Sequence, residues 1–301
     1  MSLRRLTRTH GKLLSLALTA AAIGALALAA TASAVTHHPK GEYAPFADCP
    51  LSNAKISSCL LAKTEGGEFV IGSTKVPIVS TITLQGGIEK FLSGEESVVA
   101  AEDGNTLSKT PQKVPGGLAG FVKCNEVENF IERILCEVTF ENGVTGVNAI
   151  TELAAPASSI GLHTANLLGA TGTALSLPVK VRLENPLLGS SCYIGSNAKP
   201  IVIEFTTGKT SPPPPNKSIS GNPGEASFNE AETIITIKNN SLVNNSFAAP
   251  KIEIFKSEES CGLLTPIVNS KIGLPSAAGK NTAILKGKLQ VASAEAVKAS
   301  E

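Results

Sequence analysis

Six cysteines carry the most definite chemistry in this chain: Cys49, Cys59, Cys124, Cys136, Cys192 and Cys261. An even number of cysteines behind an export signal is expected to be oxidised to structural disulfides. Fifteen pairings are possible for six cysteines, and the spacing suggests three consecutive bridges, Cys49 to Cys59, Cys124 to Cys136 and Cys192 to Cys261. No Cys-x-x-Cys pair exists, which argues against thiol redox chemistry and a thiolate zinc site.

The remaining reactive residues are sparse. Beyond the leader there are three histidines, His37, His38 and His163, and two aspartates, Asp48 and Asp103. Gly-x-Ser-x-Gly, His-Glu-x-x-His and a phosphate-binding glycine loop are all missing. A catalytic triad would have to assemble from distant residues, for example His163 with a serine and Glu184. Glu152, Glu184 and Glu204 fall on or near strands and could supply a glycosidase pair, but solvated positions on a sheet face explain them better.

Two metal sites can be imagined. Cleavage after Ala34 would leave the Val35 amine, two backbone nitrogens and the His37 imidazole as a square-planar set for Cu(II) or Ni(II). A polar terminus explains the same residues more simply. Glu102, Asp103 and Asn105 offer oxygens to calcium, yet the other positions of a calcium loop are absent, and Asp103 with Gly104 reads as a turn. The expectation is therefore no catalytic, cofactor-binding or metal-binding residue, and no cofactor.

The elements that would position any site are strands. Leu175, Leu177, Val179, Val181 and Leu183 alternate with Ser176, Pro178, Lys180, Arg182 and Glu184, the period of a strand with one buried and one wet face. After a loop bearing Cys192, Ile201, Ile203 and Phe205 resume the pattern. Further strands are expected at 59–63 and 68–71 about a Gly66-Gly67 turn, along 76–84 up to Gly86 and Gly87, and at 97–101, 233–238, 251–255 and 282–291. Asn142 and Gly143 suit a two-residue hairpin turn that sets Val138 opposite Val147 and Cys136 opposite Ala149. Val127, Phe130, Ile131 and Ile134 have helical spacing behind Asn125, and no sustained amphipathic helix follows the leader. The economical fold is all-β, an antiparallel sandwich or barrel-like sheet with long Pro/Gly-rich loops and at most one short helix.

Residues 1–34 read as a signal peptide. Arg4, Arg5, Arg8 and Lys12 precede an apolar run from Leu13 to Ala30, and Ala32, Ser33 and Ala34 form a small-residue cleavage site. An uncleaved anchor is the alternative, since the run is long enough to span a bilayer. Residues 35–48 read as a flexible lead-in, and 49–301 as a single disulfide-stapled domain. The alternative is two subdomains split at 209–224, where Pro212 to Pro215 stiffen the chain. Without the leader, 22 Lys and Arg face 25 Asp and Glu, a net charge of −3 that argues against a nucleic-acid partner. With no Trp and only Tyr43 and Tyr193 as phenols, stacking platforms and membrane-barrel girdles are also lacking. The Asn216, Asn239 and Asn244 sequons matter only in a glycosylating host.

Several phrases occur together: 84–87, 103–111, 185–196 with its Gly-Ser-Ser-Cys-Tyr-Ile-Gly core, 211–224 and 273–279. In these the chain resembles an uncharacterised group of secreted actinobacterial proteins with a signal peptide and a cysteine-bearing β-rich body. The resemblance implies export and a single domain, and no activity or site residue. The expectation is a non-enzymatic protein of the cell surface or medium, with no membrane span once the leader is removed. It would bind an unknown extracellular or cell-envelope ligand or serve as a structural part of the envelope. The alternatives are a secreted hydrolase with dispersed Ser, His and Glu residues, or a sheet cavity carrying a lipid.

Overall fold

The computed structural model describes residues 37–90, 96–118, 130, 146–253 and 260–301. Among them, thirteen strands form one sheet in which every pairing is antiparallel. They are β1 (Ile56–Ile71), β2 (Thr74–Pro77), β3 (Ile82–Lys90), β4 (Glu96–Ala100), β5 (Gln112–Lys113), β6 (Asn148–Leu153) and β7 (Gly161–Leu162). There follow β8 (Leu175–Glu184), β9 (Tyr193–Ile194), β10 (Ile201–Phe205), β11 (Glu225–Phe228), β12 (Ile234–Asn244) and β13 (Thr282–Ser293). The all-β antiparallel expectation is met.

The sheet curls back on itself. One path runs β12–β13–β1–β3–β4–β7–β8, and β8 carries β6 and β7 along one edge and β9 and β10 along the other. Just beyond β10, Thr206 exchanges both backbone hydrogen bonds with Val243 of β12 at 3.0 and 2.9 Å, closing the ring. Closure hides edges that would otherwise present unpaired backbone groups. The inward residues are those the alternation marks: Leu175, Leu177 and Val179 of β8 face Ile203 and Phe205 of β10 and Leu84 of β3 in one continuous core. Burying each such side chain contributes roughly 1.5–3 kcal/mol.

Glycine is where the strand boundaries differ from expectation. Gly66 and Gly67 do not turn the chain. β1 runs through them as a single 16-residue strand with a bulge between Thr64 and Gly66. Gly67 has φ +110°, and a Cβ there would lie 1.9 Å from the Ile284 carbonyl oxygen of β13, so only glycine permits the close approach. The bulge also changes which residues point inward, from the even set of Leu60, Ala62 and Thr64 to the odd set of Phe69 and Ile71. Gly86 and Gly87 likewise lie inside β3, where a Cβ on Gly86 would lie 2.3 Å from the Val99 carbonyl oxygen of β4. The expected strand over 76–84 is instead broken into β2 and β3 after Pro77.

A second cluster covers the outer face of β1, β12 and β13. Phe46, Cys49, Leu51, Ile56, Cys59, Leu61, Ile234, Ala292 and Val297 pack there, beneath a 3-10 turn at Gly41–Phe46 and a helix at Ala294–Ala299. The lead-in expected to be flexible therefore packs from residue 37 onward: the Tyr43 hydroxyl meets Thr233 Oγ1 at 2.6 Å and Phe46 is buried. Together with α1 (Thr164–Gly169) and α2 (Thr265–Ile272), the Ala294–Ala299 helix, α3, makes three short α-helices lying wholly within the described residues, where at most one was expected. Six to eight residues are too few to display a 3.6-residue period in sequence.

Cys49–Cys59 ties the lead-in to β1, and Cys192–Cys261 joins the β8–β9 loop to the start of α2, both buried. Cys124 and Cys136 lie outside the described residues, as do the Asn142-Gly143 turn and most of the helical spacing around Phe130. On the second strand of that expected hairpin, Ala149 already pairs with Gln112 on one edge and Leu183 on the other. The expected strand at 251–255 is irregular over 251–253, because the Asn269 side chain of α2 bonds both the N–H and the carbonyl of Ile252 at 2.9 and 2.8 Å. Residues 211–224 form a loop pinned by Asn216, whose amide donates to the Asn245 and Asn281 carbonyls at 2.9 Å each.

Candidate functional site

β4 and β7 meet at one residue pair, Ser97 with Gly161, so the barrel wall is thinnest there. Beyond it the chain at 101–110 takes over from β4 along β3. Leu107 bridges Leu84, Gln85 N–H donates to the Thr106 carbonyl at 2.8 Å, and Ser108 N–H donates to the Thr83 carbonyl at 2.8 Å. No ladder joins this stretch to β6 on the far side among the described residues. The split in the wall is a cleft of about 730 Å³. One rim holds Thr106, Leu107 and Lys109, the other is the small-residue run 153–157, and Glu152 and Lys180 lie between them.

The charged groups on this outer face belong to β6, β8 and β9. Arg182 Nε donates to Glu152 Oε1 at 3.1 Å and Arg182 Nη1 to Glu184 Oε1 at 3.3 Å. Tyr193 O–H donates to Glu152 Oε2 at 3.5 Å. Burial, then the Glu152 carboxylate, push the Tyr193 phenol above its ordinary value, and Arg182 opposes them. Lys180 pairs across the ladder with Glu152, but its ammonium lies over the Tyr193 ring, 4.7 Å from the centroid. Glu152 shares one guanidinium with Glu184, whereas Lys109 and Lys180 have no carboxylate within ion-pair distance among the described residues. The cleft lining therefore holds two cations that no carboxylate grips directly, beside a carboxylate held by Arg182.

The other sequence candidates do not gather here. His163 caps the start of α1 through its backbone, with its ring exposed and without a hydrogen bond among the described residues. Glu184 shares Arg182 with Glu152, and Glu204 is exposed on β10, away from the cleft lining. His37 Nδ1 lies 2.6 Å from Glu301 Oε1, which occupies the nitrogen that a square-planar amino-terminal site would require; His38 is exposed. Asp103 Oδ1 accepts from Asn105 N–H at 2.8 Å, the turn expected of it, and Gln85 Nε2 reaches both Asp103 and Asp48. Burial and the neighbouring Asp103 raise the Asp48 carboxyl above its ordinary value, against the Gln85 hydrogen bond. No cluster of three or more His, Cys, Asp or Glu suited to a metal occurs among the described residues.

Sequence reasoning placed Lys180 and Arg182 correctly on the wet face of β8 but did not pick them out as a site. Their signal was two consecutive outward cations on a strand whose partner contributes an outward Glu152. Lys109 had no signal, because only the bridge from Leu107 to Leu84 brings its loop to the cleft. Comparison of the chain with protein-family models, curated proteins and solved structures finds no match.

Proposed function

We propose that the protein is an exported, non-catalytic binding protein of the cell surface or extracellular space, and that its wall cleft receives an anionic group of the ligand. The observation that carries this reading is the pair Lys109 and Lys180 at an open cleft of about 730 Å³, neither cation held by a carboxylate among the described residues. In a concave site with low-dielectric walls, an unpaired ammonium attracts an anion more strongly than on a flat surface. Export is supported by the two buried disulfides, which persist in oxidising compartments. No helix among the described residues is long and apolar enough to cross a membrane. A binding role is favoured over a hydrolase because the exposed His163 ring makes no hydrogen bond to a hydroxyl or carboxylate among the described residues, and the cleft's Glu152 is held by Arg182.

The test is an NMR titration with butanoate and, separately, butylammonium. Butanoate is expected to shift backbone resonances of residues 106–109, 152 and 180, with an effect that weakens as salt is raised. Lys109→Glu with Lys180→Glu should abolish it. Equal responses to the two ions, or shifts confined to other surfaces, would overturn the reading.

A further inference from the structure

The cleft does not end at the barrel wall. Leu107, on its rim, also lines an apolar cavity of about 60 Å³ inside the barrel, with Leu84, Leu177, Val179, Ile203 and Phe205 among its other walls. Phe69 and Thr151 in turn line both this cavity and a second one of about 40 Å³, which reaches Val76, Val114 and Ile194. The three spaces therefore form a series, from a cationic mouth through two apolar chambers, with Leu107 at the first junction and Phe69 at the second.

We propose that this series holds a single-chain anionic amphiphile, its head group at Lys109 and Lys180 and its aliphatic tail past Leu107 inside the barrel. The proposal rests on the anion-binding reading of the cleft and adds the ligand's class. Three features select the tail. The first chamber is walled by aliphatic and aromatic side chains apart from Thr64 and Thr151. The second adds Thr74 and a Gln112 whose amide is already bonded to the backbone of Val79 and Ser80, so a polar tail would lose its hydrogen bonds. Apolar cavities of this kind stay dry and accept apolar guests. Space for one water-sized group takes about 10–15 Å³ on this scale, so the first chamber admits about four methylenes and the second about three more. The bulge in β1 makes the series possible, because it turns Phe69 inward between the chambers where unbroken alternation would have pointed it out.

Isothermal titration with butanoate, octanoate and dodecanoate, each below its micelle concentration, tests this. Affinity is expected to rise about fourfold per buried methylene, hence on the order of a hundredfold from butanoate to octanoate, and to level off towards dodecanoate. Leu107→Phe, which narrows the first junction, should remove most of the gain of octanoate over butanoate. Phe69→Ala, which joins the chambers, should move the plateau to longer chains. If Leu107→Phe does not fold, the wild-type series and Phe69→Ala still decide the matter. Butanoate and octanoate binding equally, both lost in Lys109→Glu with Lys180→Glu, would overturn the tail-binding inference and leave the anion site standing. Failure of every carboxylate to bind would overturn both.

Discussion

The inner and outer faces of the β6–β8 pair are built by adjacent residues of the same two strands, yet they differ in kind. Inward, Thr151, Val179 and Val181 line apolar chambers in which nothing titrates. Outward, one position along, Glu152 and Lys180 line the cleft, and Arg182 beside them holds Glu152. The inner face contributes to stability and sets the shape of the interior. The outer face contributes less to stability and sets what the cleft attracts. The difference shows how a two-residue period can put a scaffold and a binding surface on one ladder, provided the wall is interrupted where the faces must communicate.

The largest expected effects are on the inner side and its staples. Phe205→Ala should cost about 3–5 kcal/mol in denaturant unfolding, because Phe205 is fully buried where β10 meets β12. Replacing Cys192 and Cys261 together by serine should cost about 2–5 kcal/mol, since that bridge closes a 69-residue separation. Lys180→Ala, on the outer face, should change stability by less than about 0.5 kcal/mol while weakening anion binding. A comparable stability loss in Lys180→Ala would break the distinction between the faces.

Arg182→Met is intermediate. It leaves Glu152, whose side chain is only 12% exposed, without its guanidinium, and should cost about 1–3 kcal/mol at neutral pH. The adjoining phenol gives a spectroscopic readout of the same network. In a Tyr43→Phe protein, where Tyr193 is the only tyrosine, absorbance titration should place its ionisation above the ordinary tyrosine value. Glu152→Gln should bring it down. The folded state then holds that proton more tightly than the unfolded chain, so stability should fall as pH rises from the ordinary value through the raised one. The smallest effect belongs to Asp48→Asn. Its raised carboxyl means that the native state disfavours the charge, so the substitution should stabilise slightly at neutral pH. The gain should vanish as pH falls below the ordinary aspartate value.

Much of the scaffold was legible because alternation is a direct imprint of burial. The strands at 175–183 and 201–205 and their inward residues follow from it, whereas spacing only suggested the two bridges seen among the described residues and could not choose them over other pairings. Glycine was ambiguous: the same residue types that end strands in turns also permit the close approaches of Gly67 to β13 and Gly86 to β4, and only the partner backbone distinguishes the cases. The cleft was not legible, because Lys109 and Lys180 lie 71 positions apart in sequence and meet only through the interrupted wall. The chambers were beyond sequence as well, since they depend on how fully aliphatic side chains fill a curved interior.

The central claim, an anion-selective cleft opening into an apolar interior, is tested most directly by a crystal structure with ω-bromo-octanoate. Anomalous scattering is predicted to place the bromine in the chamber lined by Leu84, Leu177 and Phe205, with the carboxylate beside Lys109 and Lys180. Bromine on the outer surface, or none bound at saturating ligand, would contradict the account.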